Sequence, residues 1–223
     1  MSANSVCDKE VISYTQGAEL ISALVRAGLT RSIAQEVIGS RGNRKAQAML
    51  AALLGGHLID EHFEIISSFD IVVPEGYDHA TRLDTFRREH ELEFRHFNSA
   101  ITDANYAAPA TSKLVPDQKL KCKVVRIKES VSSDDCLDFL KSQKARLIGA
   151  QGISLAYEQG KNKLPKGRFY ASFDEKDALW KDSDGNHRVP GVRAYSDGDF
   201  GFFLGGFEVD WGVGDGLLCF CDA

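Results

Sequence analysis

A chain of 223 residues can bury a full core, and its length suggests one domain plus an accessory region. Hydrophobic and charged fractions of 43% and 26% are those of an ordinary globular protein, and a net charge of −5 argues against a general nucleic-acid binder, which carries a basic face. No apolar run is long enough to span a bilayer, and the opening MSANSVCDKEVISY lacks the basic end and apolar core of a secretory signal.

The first part reads as helical. Residues 16–27 place Leu20, Leu24 and Ala27 at helical spacing before Gly28. Thr30 suits the cap of a second helix through Val37 and Ile38, stopped by Gly39. Asn43 suits the cap of a third, carrying Ala46, Met49, Leu50 and Leu53. Three short helices, with Arg31, Arg41, Arg44 and Lys45, also fit a helix-turn-helix DNA-binding regulator. The basic residues do not line one helix face, so an accessory region for attachment or oligomerisation is expected and direct nucleic-acid binding is not.

Residues 63–73 turn strand-like, and Pro74-Glu75-Gly76 reads as a turn. Residues 80–101 fit a helix with Leu83, Phe86, His90, Phe94 and Phe97 on its apolar side. The Ala-, Pro-, Thr- and Ser-bearing stretch 105–116 reads as the connection between an accessory region, 1–110, and a main domain, 111–223.

Lys121 to Lys128 (KCKVVRIK) alternates basic and apolar residues as a half-exposed strand does. Ser132 or Ser133 suits a helix cap, with Asp134 and Asp135 in the first turn, where negative charge complements the helix dipole. A short strand is expected over 146–150, a short helix over 152–159, and a strand over 168–173 (RFYASF). Strand, helix and then several short strands with long loops define an α+β class.

Catalytic and metal motifs are not found. His57 and His62, and His90 and His96, are off register for facing ligands on one helix. DSDGN at Asp182–Asn186 opens like a calcium loop, but His187 stands where such a loop needs Gly and Arg193 where it needs Glu, so a turn at Asp184-Gly185 is expected. The five cysteines, Cys7, Cys122, Cys136, Cys219 and Cys221, are odd in number and lack metal-ligand spacing; reduced thiols are expected. On a strand, Cys219 and Cys221 face the same side. No catalytic residue, metal or cofactor is assigned.

The C-terminal segment, RVPGVRAYSDGDFGFFLGGFEVDWGVGDG, is compositionally odd: Asn, Lys, Gln, Thr, Ile and Met are absent from His187 onward. Phe200, Phe202 and Leu204 share one parity, and Gly201, Phe203 and Gly205 the other. Val192 and Ala194 likewise alternate with Gly191, Arg193 and Tyr195. One parity is hydrophobic, while the other mixes Gly, Arg, Tyr and Phe without a packing logic. If each odd position began as Asn, encoded AAC or AAT, replacement of the two adenines reaches Gly, Arg, Tyr, Asp, Phe or Val but never Lys, Gln, Glu, Met or Trp. Gly191, Arg193, Tyr195, Gly201, Phe203, Gly206, Val209, Gly212, Gly214 and Asp215 all fit this rule, whereas Glu208 and Trp211 do not and belong to a fixed framework.

On these residues, and on RVP at Arg188–Pro190, SDGDF at Ser196–Phe200 and LLCF at Leu217–Phe220, the segment resembles the variable region of a diversity-generating retroelement target protein, as found in archaea, their viruses and candidate-phyla bacteria. The resemblance covers about residues 119–223. It implies a C-terminal C-type lectin fold of the formylglycine-generating-enzyme type, preceded by a mainly helical N-terminal region. It also implies a variable segment over about 187–223, rewritten by adenine-directed mutagenesis. The implied function is non-covalent ligand binding by those ten residues, not enzymatic catalysis. Val192, Ala194, Phe200, Phe202, Leu204, Phe207 and Trp211 are expected to pack beneath them. The partner is an unidentified protein or surface glycan, and no membrane span is expected. Without a secretory signal, a cytoplasmic place, or another route to a virion or cell surface, is expected. A lectin-fold oxidase acting on cysteine is the enzymatic alternative; it needs paired cysteines in the variable-face pocket, whereas Cys219 and Cys221 fall on what reads as a terminal core strand.

Overall fold

The computed structural model describes residues 62–223, together with 30–38 and Ile21, Ser22 and Val25. The chain divides into two compact units, Met1–Ile59 and Asp60–Ala223. In the first, helix α1 spans Arg31–Ile38, and the Ala34 N–H donates to the Thr30 carbonyl at 2.9 Å, so the helix expected from Thr30 forms. Ile21, Ser22 and Val25 are helical, as the 16–27 periodicity predicts. The helix expected from Asn43 lies outside the described residues.

The second unit runs β1 (Phe63–Val72), α2 (Arg82–His90), β2 (Phe94–Phe97), β3 (Lys119–Ile127), α3 (Ser133–Ser142), α4 (Gly149–Gly160), β4 (Arg168–Ala171), β5 (Arg188–Ala194), β6 (Phe200–Gly206) and β7 (Asp215–Asp222). All seven strands join one sheet in the order β1-β3-β7-β4-β5-β6-β2. The β4–β7 and β6–β2 pairs are parallel and the others antiparallel, giving a mixed sheet with a few helices, an α+β arrangement.

Sequence alternation sets the two faces. In β3, Leu120, Cys122 and Val124 are buried in one cluster with Tyr170, Val192, Phe202, Leu218 and Phe220, against Ile153, Ala156 and Tyr157 of α4 and Phe86 of α2. The opposite parity, Val125, Phe169, Ala171, Leu217 and Cys219, packs against Cys136, Leu137 and Leu140 of α3. Each large apolar side chain so buried contributes about 1.5–3 kcal/mol. Helix α3 begins as expected: the Asp135 N–H donates to Ser132 Oγ and the Ser132 N–H to Asp135 Oδ2, a reciprocal capping box. Helix α4 reaches the sheet because Gly152 has no Cβ; one placed there would stand 2.6 Å from the Phe220 ring.

Four expectations change. The boundary expected near residue 110 lies inside the second unit, because β1 pairs with β3 and β2 with β6. The stretch 105–116 is not a linker: it opens in a π-helical turn, Asp103–Ala107, and buries Tyr106, Ala107, Ala110 and Leu114. The helix expected over 80–101 ends at His90, passes through a 3-10 turn at Glu91–Glu93 and becomes β2. A register irregularity between Phe94 and His96 puts Phe94 and Phe97 on one side of that strand, imitating helical spacing. The strand expected over 146–150 is a single bridge, Arg146 to Phe220, after which α4 begins at Gly149. Within the C-terminal segment, Val192, Ala194, Phe202, Phe207 and Trp211 are buried as expected, whereas Phe200 and Leu204 are only half-buried.

Candidate ligand-binding face

Strand register assembles a continuous row of side chains across five strands. Asp215 of β7 stands beside Phe169 of β4, Phe169 beside Arg193 of β5, Arg193 opposite Gly201 of β6, and Gly201 beside His96 of β2. A second row runs Leu217, Ala171, Gly191, Phe203. Direct partners share a sheet face, so Gly191, Arg193, Gly201, Phe203 and Asp215, five of the ten predicted positions, lie on one side. Val192, Ala194 and Phe202 point the other way into the core shared with α4.

Two glycines shape this face. A Cβ on Gly191 would stand 2.0 Å from Cζ of Phe169, and one on Gly201 would stand 2.2 Å from Cε2 of Phe203. The aromatic rings therefore lie flat over bare backbone. The Phe203 ring also stacks on His96, centroids 4.7 Å apart with planes 21° from parallel. Phe169 stacks on Trp211, centroids 6.0 Å apart and 9° from parallel. Trp211 is fixed in turn by its Nε1–H donating to Ser133 Oγ at 2.8 Å and by bridge pairing with Val131.

Arg193 is exposed and has no ion pair among the described residues, leaving its five N–H donors to solvent or a ligand. The nearby turn is tied more tightly. Arg95 of β2 donates to Asp197 Oδ2 at 2.6 Å and to Asp199 Oδ2 at 2.7 Å, and its guanidinium lies 4.5 Å from the Tyr195 ring centre. The hydrogen bond from Arg95 holds the Asp197 carboxyl below the usual carboxylate range.

The remaining predicted positions are not on the rows. Tyr195 sits in the β5–β6 turn, half-buried beneath Arg95. Gly206 ends β6 opposite Arg188, on the other side of the sheet. Val209, Gly212 and Gly214 occupy the β6–β7 connection, where Val209 is exposed and the Gly212 N–H donates to Asp215 Oδ2 at 2.9 Å. Sequence reading missed Phe169, Arg95 and His96. The last two come from a strand whose parallel pairing with β6 leaves no local signal.

Other candidates resolve as structure. Asp182 Oδ1 accepts the N–H groups of Asp184 and Asn186, and Asp182 Oδ2 accepts from Arg188 Nε at 2.7 Å. DSDGN is thus the expected turn, with Gly185 at φ +84°. Glu89, His90 and Glu158 lie together, but His90 Nδ1 is 2.9 Å from Glu93, His90 Nε2 is 3.3 Å from Glu158, and Arg82 pairs with Glu158 at 2.7 Å. Protein partners thus engage both ring nitrogens. Cys122, Cys136 and Cys219 are buried free thiols and Cys221 is half-buried; Cys7 lies outside the described residues. No described helix is long and apolar enough to cross a membrane.

Comparison with protein-family models, curated proteins and solved structures finds no match to this chain.

Proposed function

We propose that this protein is a ligand-binding display protein whose C-terminal segment is diversified by a retroelement, on a C-type lectin-like scaffold. One observation carries the reading. Positions that obey the adenine-replacement rule, Gly191, Arg193, Gly201, Phe203 and Asp215, fall on one sheet face, while the alternate residues Val192, Ala194 and Phe202 hold the core. Arg193 is the exposed member of that set, Phe203 and Asp215 are half-buried, and Gly191 and Gly201 are buried under aromatic rings, so sequence varies with least cost to the scaffold at Arg193.

The scaffold reading is supported by residues 119–223, which supply two helices and five short strands with long connections between β4 and β5 and between β6 and β7. Recognition is non-covalent. Phe203 and Tyr195 offer planar area at modest entropy cost, and Arg193 offers directional donors.

Amplicon sequencing of the gene's 3′ end and its downstream flank across the source population tests this directly. Dense variation is expected at the ten positions, with Glu208 and Trp211 fixed and a near-copy bearing Asn codons close by. An invariant segment with no such copy sinks the reading and leaves the glycines as turn and packing residues.

A further inference from the structure

Further along β7, on the same side of the sheet as Asp215 and Leu217, the strand carries a pair of thiols in a basic setting. Cys219 and Cys221 share one side of the strand with their sulfurs 3.8 Å apart. Their cross-strand partners on β3 are both lysines, Lys123 opposite Cys219 and Lys121 opposite Cys221. Cys219 is fully buried, whereas Cys221 is partly open to solvent.

From this geometry we infer that Cys221 is a modification site that exchanges with low-molecular-weight disulfides, with the Cys219 thiol as its hydrogen-bond partner and Lys123 as its charge partner. The Cys221 thiolate attacks one sulfur of the incoming disulfide. A bond forms between Cys221 Sγ and that sulfur, the original S–S bond breaks, and the departing thiolate takes a proton from solvent. The disulfide itself is the oxidant, so the step balances with no other reagent.

The groups around the site set its reactivity. The hydrogen bond from the Cys219 thiol is the largest influence and, with the Lys123 ammonium, brings Cys221 down to about 6 against the penalty of burial. The same hydrogen bond, with burial, pushes the Cys219 thiol far up. From β7, Asp222 opposes the thiolate, but its carboxylate is engaged by Arg146 Nε at 2.6 Å. At the α3 end the Cys221 thiol donates to the Gln143 carbonyl at 3.5 Å, a contact that favours the protonated thiol and opposes the thiolate, while the Gln143 side chain accepts from Lys123 Nζ at 3.1 Å. Lys121 is paired with Asp70 at 3.3 Å. Cys122, on the opposite side of β3, is buried and its thiol is pushed up, so it does not compete. A thiolate lowered in this way, partly exposed and next to lysine, is the reactive kind, and buried thiols are inert.

The test uses the full chain and 5,5′-dithiobis(2-nitrobenzoate), whose released thiolate is coloured, at pH 6.5. A fast phase of about one equivalent is expected, and peptide mass mapping should place the adduct on Cys221. Cys221→Ser should abolish that phase. Lys123→Met should slow it about threefold, because a rise of about one unit from about 6 cuts the thiolate fraction at pH 6.5 from roughly three quarters to roughly one quarter. Circular dichroism of each variant separates lost reactivity from lost fold, and Cys219→Ala provides a second variant that should also slow the phase. An adduct on Cys7 or Cys219 with Cys221 free, a fast phase that survives Cys221→Ser in a folded protein, or no reaction before denaturant is added overturns the assignment.

Discussion

The ring of His96 lies on the ring of Phe203, with centroids 4.7 Å apart, although His96 lies in β2 and Phe203 in the biased C-terminal segment. The contact joins the two halves of the sheet edge and makes β2 part of the face on which the predicted binding residues sit. An aromatic pair of this geometry contributes about 0.5–1.5 kcal/mol beyond its buried area. A double-mutant cycle with His96→Ala and Phe203→Ala should therefore give a coupling energy in that range from urea midpoints. A coupling near zero would make the stack incidental to stability and remove β2 from the energetic description of the face.

The ten predicted positions should not tolerate change equally. Gly191 lies beneath Phe169, where a Cβ would come within 2.0 Å of the ring, so the ring must swing out to admit it. Gly191→Ala is expected to cost about 1–3 kcal/mol, the usual range for overpacking. Gly214 has nothing within 4 Å of a built Cβ, so Gly214→Ala should stay within about 0.5 kcal/mol. Thermal melts of the two variants check this. Under the diversification reading, a side chain at 191 is accompanied by movement of Phe169, which a structure of such a variant would display.

Much of the second unit was legible because its signals are local. The alternation of Lys121, Lys123 with Cys122, Val124 specified β3 and its faces, and Ser132 with Asp135 specified the start of α3. The parity of Val192, Ala194 and Phe202 against Gly191, Arg193 and Phe203 separated the two sides of β5 and β6, and the first set is buried in the core shared with α4. What failed was non-local. Phe94 and Phe97 read as helical because a strand irregularity reproduced a three-residue spacing, and nothing near Arg95 or His96 announced a parallel partner in β6. Leu204 followed the parity rule yet is only half-buried, because it lies near the end of the strand.

Trp211 separates framework from face. It is 4% exposed, stacks on Phe169, meets Phe173 edge-on at 5.6 Å and donates its indole N–H to Ser133 Oγ. Trp211→Ala should cost about 3–5 kcal/mol, as large aromatic truncations in cores do. Trp211→Phe should cost less but leave Ser133 Oγ short of a donor, about 1–3 kcal/mol. Val209, exposed two residues earlier, should tolerate Ala within about 0.5 kcal/mol. Urea denaturation of the three variants gives the order; equal losses at 209 and 211 would contradict the assignment of 211 to the framework.

Asp174 should make stability fall as pH rises through the acid range. It is 3% exposed beside the start of α4, and burial raises its carboxyl above the ordinary value of 3.8. The Thr111 and Glu175 N–H groups, which donate to Oδ1, only partly offset that burial. Below 3.8 both folded and unfolded chains hold the proton, and the group has no net effect. Above 3.8 the unfolded chain releases it while the folded chain retains it, so its contribution to stability declines until the folded group also ionises. Asp174→Asn keeps an acceptor for both N–H groups and removes the ionisation. The variant should therefore match the parent at the lowest pH at which both fold and exceed it at pH 7, in urea midpoints taken across that interval. A variant less stable than the parent at pH 7 would mean that the carboxylate form is the one the fold stabilises.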